Sequence, residues 1–163
     1  MTRRLGLALT AMLLLGVVPA AADDVLIECA NAQDLEVITR AGLGSDIGTP
    51  SFLIGDETVY KNFLVDLSPV PEGSTRADAV INTTMTWDVP ANDYDLLMST
   101  SFGSVQTEDY QPIDPPVEYA SLRAKHCEVI EIGALDYLAP AAVDSIALNF
   151  TTSGVVVQTP PPA

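Results

Sequence analysis

Four oxygen-bearing side chains lie close together in residues 88–95, and their types suit a hard metal ion. Asp93 and Asp95 are two positions apart at the start of a predicted strand, so a regular strand sends both carboxylates to one face. Asp88 and Asn92 lie in the turn before it. Calcium takes about 6 to 8 such oxygen ligands. The four residues form a candidate calcium site; the alternative is that the same side chains only bond the backbone of the turn.

The chain offers little of the usual catalytic chemistry. His126 is the one histidine, so any catalytic triad has to use it. It precedes Cys127, and consecutive residues of a strand point to opposite faces, which disfavours a Cys–His pair. The sequence holds no Gly-x-Ser-x-Gly, His-Glu-x-x-His or glycine-rich phosphate motif. A carboxylate pair of the glycosidase kind stays open, because 22 acidic residues do not single one out.

Cys29 and Cys127 are the two cysteines of the chain. In an oxidising compartment an even pair usually forms a disulfide, and two free thiols are the alternative. The bridge would close a loop of about 100 residues, for which the chain-entropy model gives roughly 4 to 5 kcal/mol, while measured bridges give about 2 to 4. We predict a Cys29–Cys127 disulfide.

The first 22 residues have the three-part pattern of a secretory signal peptide. Arg3 and Arg4 begin it, an uncharged apolar run follows over residues 5–18, and small residues end it at 20–22. The run has about 14 residues, whereas a membrane span needs roughly 20. We expect cleavage after residue 22 and a mature protein outside the cytoplasm, secreted, at the cell surface or in the periplasm, with no membrane span.

The mature chain is strongly acidic. Residues 23–163 carry five basic and 22 acidic residues, a net charge near −17. Such a surface repels nucleic-acid phosphates and anionic lipid head groups, so we expect no nucleic-acid partner. The length suits one domain, which we place at residues 23–158, before a Pro-rich, disordered tail at 159–163. We expect a monomer.

Apolar residues alternate with polar ones along several short segments between Pro, Gly and Asp. The clearest is residues 77–89, where every second residue from Ala79 to Trp87 falls on one face. A period of two indicates a half-buried antiparallel strand. Further strands are predicted at residues 24–29, 58–67, 94–100, 117–122, 127–132, 143–150 and 155–157, connectors at 41–50 and 134–142, and either a helical turn or a strand at 31–40. The pattern predicts an all-β, two-layer antiparallel β-sandwich of jelly-roll type in one domain.

Residues 85–97, with the sequence Met-Thr-Trp-Asp-Val-Pro-Ala-Asn-Asp-Tyr-Asp-Leu-Leu, resemble a motif of bacterial secreted pre-peptidase C-terminal (PPC-like) domains. In that family a strand ending in Trp and an acidic residue turns into Asp-x-Asp-Leu. The resemblance covers residues 58–150 and departs from the family at 102–124, a segment with an acidic, Pro-rich loop. It implies a jelly-roll sandwich with an accessory role, and calcium binding in some relatives.

Two classes of function follow from these observations. The first is an exported, non-catalytic accessory or binding module whose partner is an extracellular protein, a glycan or a surface component. The alternative is a small extracellular hydrolase with a carboxylate pair or a calcium-assisted site. The one tryptophan, Trp87, alternates with apolar residues, so we expect it in the core rather than on a binding surface.

Overall fold

The computed structural model describes Cys29 and residues 35–43, 51–55, 58–107, 116–141 and 143–161. In these residues the chain forms ten β-strands and no helix, hence no helix that could cross a membrane. The predicted signal peptide lies outside the described residues, as does the strand predicted at 24–29 except for Cys29. The strands are β1 Glu36–Thr39, β2 Gly42–Leu43, β3 Ser51–Ile54, β4 Val59–Asp66, β5 Arg76–Trp87, β6 Asp93–Thr100, β7 Gly103–Gln106, β8 Val117–Lys125, β9 Val129–Leu138 and β10 Asp144–Gln158.

The described strands form two sheets that pack face to face. One sheet has the order β2-β1-β4-β9-β6-β7 and the other the order β3-β10-β5-β8. All pairs are antiparallel except β1 with β4. Apolar side chains from both sheets form one buried cluster. The protein is therefore a two-layer β-sandwich, which confirms the predicted fold class.

The alternation along β5 is what fixes the core. Ala79, Ile81, Thr83, Met85 and Trp87 are all buried, as the period of two predicts. Full burial of a side chain of the size of Ile81 or Met85 stabilises the fold by about 1.5–3 kcal/mol. β5 lies between β10 and β8, so its register sets the inner faces of both neighbours.

Two predicted boundaries are wrong, and in each case sheet pairing is the reason. β9 continues to Leu138 through part of the predicted connector 134–142, because it keeps its pairing with β6 as far as Asp93 after its pairing with β4 ends at Ala134. The predicted strands 143–150 and 155–157 are one strand, β10, which keeps its pairing with β5 across a register shift between Ser153 and Val156. Residues 36–39 form a strand, not a helical turn, and the edge strand β3 was not predicted.

The predicted disulfide is present, with the Cα atoms of Cys29 and Cys127 5.1 Å apart. Cys127 lies in the turn between β8 and β9 rather than in the strand predicted at 127–132. Its φ is +60°, a left-handed conformation that favours glycine. The turn is tied to β4, because the Cys127 N–H donates to the Val65 carbonyl at 2.8 Å and the Val65 N–H donates to the Glu128 carbonyl at 2.9 Å.

The left-handed turn predicts an unusual order of stabilities in the absence of the disulfide. With Cys29→Ser in both proteins, Cys127→Gly should be more stable than Cys127→Ser by about 1 kcal/mol, because glycine adopts a positive φ without a steric penalty. Both should be less stable than the oxidised protein by about 2–4 kcal/mol. Urea unfolding measures all three free energies. A serine variant at least as stable as the glycine variant would contradict the turn geometry.

Candidate functional site

A buried carboxylate, Asp144, organises the corner between β5 and β6. Its Oδ1 accepts the backbone N–H groups of Asp88 at 3.0 Å and Val89 at 3.2 Å. Its Oδ2 accepts from Nδ2 of Asn92 at 2.8 Å. Asp144 is 3% exposed, and these donors satisfy the oxygens that burial removes from water. The corner is thus held by hydrogen bonds within the protein.

Asn92, one of the four predicted calcium ligands, has its side chain engaged at this corner. Its Nδ2 also donates to Oη of Tyr94 at 3.0 Å, and its Oδ1 accepts the Ala141 N–H at 3.0 Å. Nε1 of Trp87 donates to the Asn92 carbonyl at 2.9 Å. Trp87 is therefore part of the core, as predicted, and the turn depends on Asn92.

Tyr94 sits beside this carboxylate with no exposure to solvent. Burial, followed by the negative charge of Asp144, raises the pKa of its hydroxyl to about 12. The Tyr94 ring meets the Trp87 ring edge-on at 5.5 Å between centres. The hydroxyl therefore stays protonated at neutral pH and belongs to the same hydrogen-bonded corner.

The three predicted aspartate ligands have different surroundings. Asp93 is 1% exposed and Asp95 is 8% exposed, and Oδ2 of Asp95 accepts from Nε2 of Gln106 at 3.0 Å. Asp88 is exposed to solvent. Among the described residues, one group of three Asp, Glu, Cys or His side chains has its potential metal ligands close together. That group is Cys29, His126 and Cys127, and it includes none of the predicted aspartates. The calcium site and its alternative, bonding within the turn, both stay predictions, and the contacts of Asn92 favour the alternative.

A cavity of about 390 Å³ lies at the opposite end of β5 from this corner. Residues 74–78, which lead into β5 and begin it, form one wall. Lys125 and His126, from the end of β8 and the turn after it, form another. Phe102, from the turn between β6 and β7, and Val70 complete the lining. Pairing of Asp78 with Lys125 between β5 and β8 brings the first two walls together.

The wall of the cavity contains a second buried carboxylate, Asp78, which has no exposure to solvent. Nε of Arg76 donates to its Oδ2, and Nη2 of Arg76 lies 3.3 Å from its Oδ1. Nη1 of Arg123 lies 3.2 Å from the same Oδ1. The hydrogen bond that Arg76 makes to Asp78, followed by the negative charge of Asp78, raises the pKa of Arg76 above its ordinary value. A buried carboxylate needs such partners, and here two guanidinium groups share one.

A second set of contacts fixes the side of the cavity formed by Lys125. Glu128 Oε2 accepts the Lys125 N–H at 2.7 Å, and Glu128 Oε1 accepts the Ser101 N–H. This carboxylate therefore joins the β8–β9 turn to the β6–β7 turn. The Lys125 ammonium lies 5.1 Å from the centre of the Phe102 ring and the Arg123 guanidinium 6.0 Å from it, within the range of cation–π attraction.

The contacts of His126 mainly hold the turn against the neighbouring segment of the chain. Its side chain is 7% exposed, and its Nδ1 accepts the Leu67 N–H at 3.0 Å and lies 3.6 Å from Oδ1 of Asp66. Both ring nitrogens are 4.0 Å from Sγ of Cys29. The sequence argument against a Cys–His pair assumed a strand, whereas both residues lie in the turn. The disulfide nevertheless removes the thiol that such a pair would need.

Sequence reasoning did not single out Arg76, Phe102, Arg123 or Lys125. They come from three separate parts of the chain, and the β5–β8 pairing that unites the basic residues is not visible in one sequence. A signal was available in the charge distribution, because three of the five basic residues of the mature chain are among these four.

No protein-family model matches the chain, and comparisons with curated proteins and with solved structures find no match. The class of protein is therefore defined by its fold and its pocket alone. The protein is a disulfide-bonded two-layer β-sandwich with a pocket at one end of its long strand β5.

Tyr94 predicts a specific loss of stability at alkaline pH. Its pKa rises from 10.0 to about 12 on folding, so the folded state holds the proton more tightly. The resulting stability is fully present below pH 10 and is lost as pH rises towards about 12. Tyr94→Phe should lose less stability than the wild type over that range in urea titrations. Tyr119→Phe, which changes an exposed tyrosine, is the control, and an alkaline loss equal in all three proteins would contradict the assignment.

The contacts of Asn92 and Asp95 predict that calcium does not stabilise the protein. Oxygens of both side chains already accept hydrogen bonds within the chain, so the melting temperature should be equal in EDTA and in millimolar calcium. A rise with calcium that Asp93→Asn removes, while Glu131→Gln on the exposed face of β9 keeps it, would contradict this expectation and establish the calcium site.

Proposed function

We propose that the protein is an exported, non-catalytic binding module whose binding site is the pocket at the start of β5. The observation that carries this proposal is the cavity itself. Its volume of about 390 Å³ falls within the range of small-molecule sites, roughly 300–1,000 Å³. Its lining combines apolar groups, Val70 and Phe102, with a few charged ones, as binding pockets usually do.

The walls are held by bonds that need no ligand. The Asp78 carboxylate fixes Arg76 and Arg123, and the Glu128 carboxylate joins the turn that carries Phe102 to the end of β8 at Lys125. A site with such fixed walls loses less conformational entropy when it binds, which supports a role in recognition.

The groups beside the cavity that resemble catalytic ones are already occupied. Asp78 is buried between two guanidinium groups, Nδ1 of His126 accepts a backbone N–H, and the sulfur of Cys127 is in a disulfide. A general base or nucleophile needs an atom that can reach the substrate. This arrangement supports binding rather than hydrolysis. The alternative is a small extracellular hydrolase with a carboxylate pair or a calcium-assisted site, and at the candidate calcium site it meets the difficulty that Asp93 and Asp95 are buried.

Three features support action outside the cytoplasm. Residues 1–22 follow the pattern of a signal peptide, the disulfide suits an oxidising compartment, and the acidic charge suits a protein that does not bind nucleic acid. The accessory role implied by the resemblance to PPC-like domains agrees with this proposal. The ligand would then be a soluble metabolite or a group of an extracellular glycan or surface component.

The pocket can be tested by filling it. Thr75 lines the cavity and is exposed, so Thr75→Trp should block the pocket without a change of charge. Thr86→Trp, at the exposed opposite end of β5, is the matched control. In saturation-transfer NMR with phenol, indole, benzamide, benzoate and benzamidine, at least one compound should contact the wild type and the control but not Thr75→Trp. The same contacts in all three proteins, or none with the wild type, would argue against the binding site.

The same protein tests export and the lack of catalysis. Produced from the full gene in a bacterial host, it should leave the cytoplasm and begin at Asp23 by mass spectrometry. It should leave p-nitrophenyl esters and glycosides intact. Residues 1–22 retained on a cytoplasmic product would refute export, and hydrolysis that Asp95→Asn abolishes would favour the alternative.

A further inference from the structure

The positive charge of this acidic protein is concentrated at one place. Residues 23–163 carry 22 acidic and five basic residues. Three of those five, Arg76, Arg123 and Lys125, line the cavity or bind the carboxylate in its wall. A cluster of cations on an otherwise acidic protein attracts negatively charged ligands to that place. Most of the other charges of the mature chain are negative, so this cavity is the place best suited to an anion.

The charges beside the cavity nearly balance, and this limits the negative charge that a ligand can bring. Asp78 offsets one of the three cations through its contacts with Arg76 and Arg123. Glu128, which accepts the backbone N–H of Lys125, offsets a second. Asp66, whose Oδ1 lies 3.6 Å from Nδ1 of the lining residue His126, offsets the third, and this near balance suits a ligand with a single negative charge better than a dianion such as a phosphate monoester.

Lys125 is the cation best placed to meet that ligand. Among the salt bridges of the described residues none involves Lys125, and its ammonium lies 5.1 Å from the centre of the Phe102 ring. Arg76 uses the N–H of Nε and one N–H of Nη2 for Asp78, so the two N–H bonds of Nη1 and the second of Nη2 are further donors at the same wall. Phe102 and Val70 offer apolar surface beside these donors.

We propose that the pocket binds a small organic anion that carries one carboxylate on an apolar or ring-shaped body. The carboxylate pairs with Lys125 and Arg76, and the body lies against Phe102 and Val70. This inference rests on the proposed function, since it names the ligand class of the same pocket. Its distinctive consequence is selectivity for charge between ligands of equal shape.

Benzoate, benzamide and benzamidine provide that comparison, because they are planar, nearly equal in size, and negative, neutral and positive. Their affinities for the mature protein can be measured by heteronuclear NMR titration at an ionic strength held constant with sodium chloride. Benzoate should bind about tenfold more tightly than benzamide, the effect of a charge-assisted hydrogen bond, and benzamidine should bind most weakly. The largest shifts should fall on amide groups of residues 74–78 and 125–126.

A matched pair of lysine variants separates this site from a general effect of charge. Lys125→Met should lower the affinity for benzoate severalfold towards that for benzamide, while the contact with Arg76 keeps part of the preference. Lys61→Met removes the same charge from β4, where Lys61 pairs with Glu36, and should leave the preference unchanged. The Lys125 side chain is exposed, so its replacement should preserve the fold, which the NMR spectrum itself reports.

Several results would overturn the inference. Equal affinities for benzoate and benzamide at the cavity would overturn the anion preference and leave the pocket intact as a binding site. A preference lost equally in both lysine variants would assign it to overall charge. Binding of none of the three compounds at the cavity would also overturn it, whereas the Thr75→Trp comparison with the wider set of compounds judges the proposed function separately.

Discussion

The structure depends on the burial of alternate side chains of β5 between two sheets. β5 lies between β10 and β8, and its inward residues, among them Ile81 and Met85, have no exposure to solvent. Since the side-chain period of a strand is two, a shift of one residue would expose this whole set. The register that buries the centre of β5 therefore also fixes its two ends. One end forms the corner around Asp144, and the other carries Asp78 and the wall of the pocket.

Each end of β5 is built around a buried carboxylate, and the partners of the carboxylate decide what that end is suited to do. Asp144 is satisfied by N–H groups of the backbone and of Asn92, which bring no positive charge, so the corner is closed and structural. Asp78 is satisfied by Arg76 and Arg123, which bring two positive charges to one negative. The same requirement, that a buried charge be paired, thus concentrates cations beside an open cavity.

The sequence predicted the elements whose signal is local. The alternation of β5 and the pairing of the cysteines follow from spacing and compartment, and both are confirmed. β9 was predicted too short because Gly133 and the residues after it resemble a connector. In the structure Gly133 is a strand residue on which the Tyr60 ring packs, and a Cβ atom at this position would lie 2.7 Å from that ring. The pocket was missed because its walls meet through strand pairing across some 50 positions. The turn at 88–95 left two interpretations open, a calcium site and bonding within the turn, since the oxygens that bind metals also accept hydrogen bonds from N–H groups.

The central claim is that the buried Asp78 carboxylate and its two arginines form the wall of a pocket that binds an organic anion. A crystal structure of the mature protein grown with saturating para-bromobenzoate tests it most directly, because bromine can be located by anomalous scattering. The account predicts a bromine peak in the cavity beside Phe102, the ligand carboxylate within hydrogen-bonding distance of Lys125, and Asp78 between its two arginines. An empty cavity with bromine elsewhere, or Asp78 turned out to solvent away from Arg76 and Arg123, would contradict it.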